Sequence, residues 1–474
     1  MVVGEFAEKR DLIIIGGGPG GYNAAIRAAQ LGLKVTLVEQ NELGGVCLNS
    51  GCIPSKVYAQ AAKKLEALGH YASFGIAIDE PTFAIESLND YKNMTIERLR
   101  KGVEELCKAN QIELIRGKAQ FINQKRLGIE MSHHFDLYDF EKVIIATGST
   151  VEILTEYRAA KILTEAELYR LTEIPPHLII YGHSYIALEA AFTFRQLGAD
   201  VTLILNKENF SFDESINREL QRLLKKQKIK VYRGYQLKDI AESHTLLQLK
   251  LSKPDQEITC EGSHVFMEGT HHGNIETLDL QRIGVECTTD GFIKVNQQLQ
   301  TNIPTIYAIG DVTGGEQSAV KSIKEGKVVA ERLAGLNSEV DLSLMPAVVH
   351  TIPPLATVGM TEQEAKEKGL NIAVSQFNYS GNGYAMVTSE KSGIMKIIKD
   401  ADNDVLLGFH AIGSSAIELI STAVTAMELV GRDEDLNFPL YPHPSFNETI
   451  LEAIEGLNNR AIHMKPNEKK SVKV

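Results

Sequence analysis

Leu12-Ile13-Ile14-Ile15-Gly16-Gly17-Gly18-Pro19-Gly20-Gly21 runs a short apolar strand into a glycine-rich turn. A helical stretch from Tyr22 to Leu31 follows, then a second strand from Val35 to Glu39. In such a unit Gly16 permits the tight turn and Gly18 lets backbone approach a pyrophosphate. Gly21 lets the helix pack on the strand, and the phosphate sits at the helix N-terminus. Glu39 lies 23 residues beyond Gly16, the spacing at which a strand-end carboxylate accepts the hydroxyls of an adenosine ribose. A GxGxxG alone also fits a chance loop; strand, glycines, helix, strand and acid in this order make a dinucleotide-binding unit.

Directly beyond stands Gly44-Gly45-Val46-Cys47-Leu48-Asn49-Ser50-Gly51-Cys52-Ile53-Pro54-Ser55-Lys56, ahead of a helical run. Asn49 and Ser50 are good helix caps and Pro54 suits a first turn, which puts Cys52 near a helix N-terminus whose partial positive charge favours thiolate. Lys56 is four residues on, on the same helical face, where its ammonium favours the same anion. Cys47 and Cys52 read as a redox-active disulfide, with a structural crosslink or two buried thiols as the alternative for a bare Cys-x4-Cys. Cys107, Cys260 and Cys287, the remaining cysteines, read as packing residues.

The first pattern returns 166 residues later. Leu178 to Tyr181 leads into Gly182-His183-Ser184-Tyr185-Ile186-Ala187, a helix through Leu197-Gly198, and a strand from Val201 to Leu205. The repetition argues for two nucleotide-binding domains of similar build. The second copy is altered: Ser184 replaces the glycine that meets pyrophosphate, and Leu205 stands where the first copy has Glu39. Nicotinamide cofactor preference, NAD or NADP, is unreadable from it, and a fold that has lost its nucleotide stays open. Two more apolar strands end in polar turns, Val143 to Ala146 before Thr147-Gly148-Ser149 and Ile303 to Ile309 before Gly310-Asp311. Asp311 suits ribityl or ribose hydroxyls, or is an exposed strand-end acid. Pro175-Pro176 marks a linker, residues 310–315 a loop, and Ser318 to Ala334 a helix. From about Leu344 the pattern becomes that of an α+β domain, with strands Ile394 to Lys399 and Leu406 to Ile412 and a helix from Ala416 to Val430.

At 474 residues and 43% hydrophobic content the chain supports two to four domains. Its formal charge of -12 argues against nucleic acid or anionic membrane as partner. Met1 to Arg10 reads as neither a secretory signal nor a membrane span, so a cytoplasmic protein is expected. Near the end, Tyr441-Pro442-His443-Pro444-Ser445-Phe446-Asn447-Glu448 leads into a helix. Glu448 there could orient the His443 imidazole as an acid-base pair, against the alternative of a solvated surface pair. No histidine has metal-ligand spacing, and no metal is assigned.

Together these motifs resemble the flavin-dependent pyridine nucleotide-disulfide oxidoreductases along nearly the whole chain, and residues 44–56 look most like the dihydrolipoyl dehydrogenase branch. Ala146-Thr147-Gly148, Thr305 through Asp311, and His443-Pro444 with Glu448 add to the match. The resemblance implies an α/β fold: an FAD domain (residues 1–150, completed by 275–343), an NAD(P) domain (151–274) and a C-terminal α+β dimerisation domain (344–474). It implies FAD held by Gly16, Gly18, Gly21, Glu39, Gly45, Lys56, Ala119, Gly148, Asp311 and Ala319, with the nicotinamide nucleotide at Gly182, Ser184 and Ile186. Cys52 would face the flavin and Cys47 the substrate, and Lys56 would pair with Glu189. His443 and Glu448 would come from the partner subunit of a homodimer. The implied reaction oxidises dihydrolipoamide, electrons passing through the disulfide and FAD to NAD⁺, for a 2-oxoacid dehydrogenase complex. The alternatives are an NAD(P)H-dependent reductase of another disulfide or a metal ion, and a flavin-bearing subunit of low turnover. Departures from the family's wording are Ser184, Leu205, Thr270 in the altered turn Gly269-Thr270-His271-His272-Gly273-Asn274, Val320, Tyr441 and Asn447.

Overall fold

The structure is a computed structural model and describes residues 7–78, 82–132, 134–153, 161–243 and 246–465. Leu12 to Ile15 lie in the strand Ala7–Ile15, bonded in parallel to Val35–Glu39 on one side and His134–Ile145 on the other. A strand paired on both edges and covered on both faces reads as a continuous apolar run, and all four side chains are buried. Burial of such a side chain contributes about 1.5–3 kcal/mol. Glu113–Arg116 extends this sheet on one edge and the antiparallel strands Arg126–Met131 and Lys118–Asn123 on the other. Ile306–Ala308 returns to pair with His134–Ile145. That strand is shorter than the expected Ile303 to Ile309, because the Thr301 hydroxyl donates to the carbonyls of Ile303 and Ile306 and holds residues 303–305 in a turn.

The sequence repeat is a structural one. His177–Tyr181 and Asp200–Leu205 flank the helix Tyr185–Gln196 in a second parallel sheet, ordered Lys230–Arg233, Asp200–Leu205, His177–Tyr181, His264–Met267, Ile162–Leu163. Gln236–Ser243, Leu246–Lys253 and Gln256–Gly262 form an antiparallel sheet beside it. Ser149–Glu152 pairs with Thr270–Gly273 where the chain leaves the first domain and comes back. The last part is a five-stranded antiparallel sheet, with the helices Ala416–Glu428 and Glu448–Leu457 burying Ile420, Ala423, Ile450 and Ile454 against it. The expected 310–315 loop is a short 3-10 helix over Gly310–Thr313.

One apolar cluster crosses all three parts. Tyr58 and Ala62 of the helix Cys52–Leu68 pack with Phe192 and Phe194 of the second domain and with Val349, Ile352, Leu355 and Ile412 of the third. A buried ion cluster ties the second and third domains as well. Lys396 Nζ donates to both oxygens of Asp213 (2.8 and 3.0 Å), to Ser215 Oγ (3.2 Å) and to Glu362 Oε2 (2.6 Å). Burial pushes the Asp213 carboxyl up, and the bonds from Lys396 and the backbone of Glu362 and Ser215 more than reverse this, leaving it below the usual carboxylate range. Lys396→Met strands that carboxylate and is expected to cost about 3–5 kcal/mol of stability. Lys396→Met with Asp213→Asn should recover most of the loss; chemical denaturation of the three proteins checks the pair.

Candidate active site

Cys47 lies in the short helix Gly45–Asn49, and Cys52 opens the helix Cys52–Leu68. The cap between them is Gly51, with no side-chain hydrogen bond. The expectation that Asn49 or Ser50 caps the second helix is therefore corrected. Asn49 Nδ2 turns back to the carbonyls of Leu43 (3.0 Å) and Gly45 (2.9 Å), and Ser50 Oγ to that of Val46 (3.4 Å). Without a side-chain cap, the first-turn amides leave their partial positive charge facing the Cys52 sulfur. The structure holds the two cysteines as thiols, both half-buried. A hydrogen bond from the Cys47 thiol pushes Cys52 below the ordinary thiol range against its burial, and Lys56 adds to the effect. The same contact, followed by burial, pushes Cys47 strongly up. Cys107 and Cys260 are buried packing residues, and Cys287 is half-buried.

Lys56 Nζ meets Glu189 Oε2 at 2.8 Å, as expected. Glu189 is buried, and its other oxygen accepts from the backbone N–H of His350 (2.7 Å). A further acid, absent from the sequence expectations, stands against this group: Glu165 Oε1 would lie 3.5 Å from a Cβ on Gly51. Burial pushes Glu165 up to about 7, Lys56 pulls it down, and Glu189 and Glu268 raise it again. Sequence offered no handle on it, since Glu165 belongs to a strand–helix junction more than a hundred residues from the thiols.

One cavity of about 710 Å³ joins these groups to both glycine loops. Its lining includes Gly16, Gly18, Glu39, Gly45, Cys47, Cys52, Gly148, Asp311 and Ala319 from the first domain, and Ser184, Ile186 and Glu268 from the second. The first loop fits a flavin dinucleotide. Gly16 has φ +105°, and a Cβ there would lie 2.4 Å from the Ala146 carbonyl oxygen, while one on Gly21 would lie 1.8 Å from that of Gly16. These two glycines bring strand, turn and helix together, and the helix Pro19–Gln30 behind them has no side-chain cap to compete with a diphosphate. Glu39 accepts from the Gly17 N–H (2.6 Å) and the Asn41 N–H (2.7 Å), which fixes its carboxylate at the cavity. Asp311 Oδ1 is buried without a hydrogen-bond partner, as suits an acceptor for ribityl hydroxyls, and burial pushes this carboxyl up. Lys321, bonded to the Gly314 carbonyl (2.6 Å), and Glu325, accepting from the Gly310 N–H (2.6 Å), fix the turn that carries it. Gly21, Lys56, Ala119 and Gly182 are not in the lining; Ala119 is buried in the first domain's core.

The second loop is arranged differently. Ser184 caps its helix, Oγ accepting from the N–H groups of Ile186 (3.0 Å) and Ala187 (3.4 Å). Glu268, one residue past the strand His264–Met267, reaches over the loop. It accepts from the backbone of His183 (2.8 Å) and Ser184 (3.0 Å) and from the Ser184 hydroxyl. Leu205 is fully buried and offers no acceptor to a ribose.

His443 Nδ1 and Glu448 Oε1 are 2.8 Å apart, and Glu448 Oε2 accepts from the Ser445 N–H (3.0 Å). Burial pushes Glu448 up, and the bonds from His443 and Ser445 bring it below the usual range. The His443 side chain is 79% exposed, and no described residue beyond Ser322 lines the cavity of the thiols. The His443–Glu448 contact is thus formed, but outside the cavity that holds the two cysteines of its own chain.

The family profile of the pyridine nucleotide-disulphide oxidoreductases matches residues 10–326, and that of their dimerisation domain matches residues 345–454. The chain is 34% identical to a dihydrolipoyl dehydrogenase of Staphylococcus aureus over 466 residues, 98% of this chain and 100% of the other. It is 36% identical to that of Thermus scotoductus over 462 residues, 96% and 98% of the two chains. Among solved structures, the Cu(II) complex of the HOCl-induced flavoprotein disulfide reductase RclA from Escherichia coli superposes with a TM-score of 0.84 at 25% identity, covering 94% of this chain and 99% of the other. LpdA from Mycobacterium tuberculosis has the same fold, with a TM-score of 0.88 at 22% identity over 94% and 99% of the two chains. Two nucleotide loops on one cavity, a polarised thiol pair between them and these full-length matches agree: the chain belongs to the pyridine nucleotide-disulphide oxidoreductases, with FAD and NAD(H) as its cofactors and a dimerisation domain at its C-terminal end.

Proposed function

We propose that this protein oxidises the dithiol of dihydrolipoamide to the cyclic disulfide. The observation that carries the reading is the polarised Cys47–Cys52 pair beside Lys56–Glu189, in the same cavity as the Gly16 loop and Asp311. The relatives named dihydrolipoyl dehydrogenase support the choice of dithiol. Held at the first loop by Gly16, Gly18, Glu39 and Asp311, FAD would supply a two-electron acceptor between the reduced thiol pair and NAD⁺.

The chain's own residues do the rest. His443 Nε2 takes a proton from one substrate thiol while Glu448, on Nδ1, fixes the ring and stabilises the imidazolium. The substrate thiolate attacks Cys47 Sγ, the Cys47–Cys52 bond breaks, and Cys52 leaves as a thiolate held by the helix N-terminus and Lys56. The second substrate thiol then attacks the mixed disulfide and releases oxidised substrate, with the second proton going to Cys47. Cys47 keeps that proton because the bond to Cys52 and its burial raise its pKa. His443 is exposed and outside its own chain's cavity, which supports a site completed by the partner subunit's copy of His443 in the homodimer.

The domain limits of this reading are residues 1–150 with 275–343 for FAD, 151–274 for the nicotinamide nucleotide, and 344–474 for the dimer contact. A 2-oxoacid dehydrogenase complex that presents a lipoyl group is the partner it calls for. The cytoplasm, where thiols stay reduced, is the compartment it calls for. Among the described residues no helix is long and apolar enough to cross a membrane.

His443→Gln is expected to keep its flavin and to lose roughly 10²–10⁴-fold in the rate at which dihydrolipoamide reduces it. Unchanged stopped-flow rates would contradict the role. Dimers formed from Cys52→Ser and His443→Gln chains should regain one working site per mixed dimer, whereas a site completed within one chain would leave them inert. Lys56→Met is expected to move the Cys52 thiolate titration up, and Glu165→Gln to move it down. Ultraviolet thiolate absorption of the reduced protein across pH reads both shifts.

A further inference from the structure

The second loop stands at the C-terminal end of the strand His177–Tyr181 and opens the helix Tyr185–Gln196, the place where this kind of fold seats a dinucleotide diphosphate. Such a seat consists of unpaired backbone N–H groups, and here four of them are paired. The N–H groups of His183 and Ser184 donate to Glu268, and those of Ile186 and Ala187 to Ser184 Oγ. The Ser184 hydroxyl in turn donates to Glu268, so one carboxylate closes the whole arrangement. Its approach is tight: a Cβ built on Gly182 would lie 2.2 Å from the Glu268 carboxyl carbon. The backbone N–H of Glu268 is bonded to the Tyr181 carbonyl oxygen (3.1 Å), which anchors the residue beside the loop. In the first domain Glu39 takes only the Gly17 N–H of the loop (2.6 Å), the equivalent of the His183 N–H, and the helix there has no side-chain cap.

We propose that Glu268 is an internal occupant of the diphosphate seat, and that NAD(H) binds the second domain only when this carboxylate swings away from the loop. The proposal rests on the reading of that domain as the nicotinamide nucleotide site. A diphosphate and a carboxylate cannot share one set of amide donors, because both are anions seeking the same hydrogen bonds. Glu268 therefore weakens pyridine nucleotide binding without touching the thiol pair. Leu205 removes the ribose acceptor as well, so little in the loop region offsets the competition.

The test is equilibrium binding of NADH and of NADPH to the flavin-loaded full-length dimer, for wild type, Glu268→Ala and Glu268→Gln, with flavin content and melting temperature as checks on folding. Removing the charge is expected to tighten NADH binding by about tenfold or more, since like charges at one contact repel. Equal or weaker binding in a folded variant would overturn the proposal. Either variant alone suffices if the other fails to fold. Reduction of the wild-type flavin by dihydrolipoamide without any nucleotide is run in parallel. Its absence would sink the proposed dithiol activity, while the binding result would still decide the role of Glu268.

Discussion

The Glu189 carboxylate binds the three parts of this chain to one another. One oxygen takes the Lys56 ammonium from the thiol helix, and the other takes the His350 N–H from the start of the third domain. Glu189 itself sits on the second domain's helix and is 2% exposed. A carboxylate buried to this degree is tolerated because both oxygens have donors, and loss of either donor would leave an expensive charge behind. The cluster around Tyr58, Phe192 and Phe194 packs against the same two helices, so apolar contact and ion pair hold one geometry.

That geometry determines the chemistry of the sulfurs. Two thiols of equal intrinsic acidity become unequal because Cys47 donates to Cys52, and because the open helix end and Lys56 both favour negative charge at Cys52. The asymmetry divides the pair, with the proton favoured on Cys47 and the negative charge on Cys52. Glu165, pushed up to about 7 by burial, places a titrating carboxyl in the same group. Its ionisation opposes the Cys52 thiolate, so rising pH through neutrality places a negative charge beside that sulfur. The cavity that contains this group also reaches both nucleotide loops.

Much of this was legible in the sequence where a single residue type has a single steric reason. Gly16 and Gly21 sit where a side chain would strike backbone, and Leu12 to Ile15 had to be a central strand because no face of it reaches water. The Lys56–Glu189 pair followed from the family resemblance, and no local pattern would have revealed it. Reading failed where several side chains could satisfy the same need. Asn49 and Ser50 are good caps in isolation, but nearer carbonyls claimed them. Glu268 was missed because its partners lie 84 and 85 residues away, across a parallel sheet whose register no local spacing encodes. An acid directly before the altered Gly269-Thr270 turn was the one available signal.

With Cys47 and Cys52 in the cavity of the first loop, the pair is expected to act as a second electron store beside a bound flavin. Anaerobic reductive titration of the purified flavin-loaded protein tests this most directly. The account requires twice as many electrons per flavin as the flavin alone accepts, with a Cys52→Ser variant falling to the flavin's own share. A wild-type protein that is fully reduced by the flavin's share alone would contradict it.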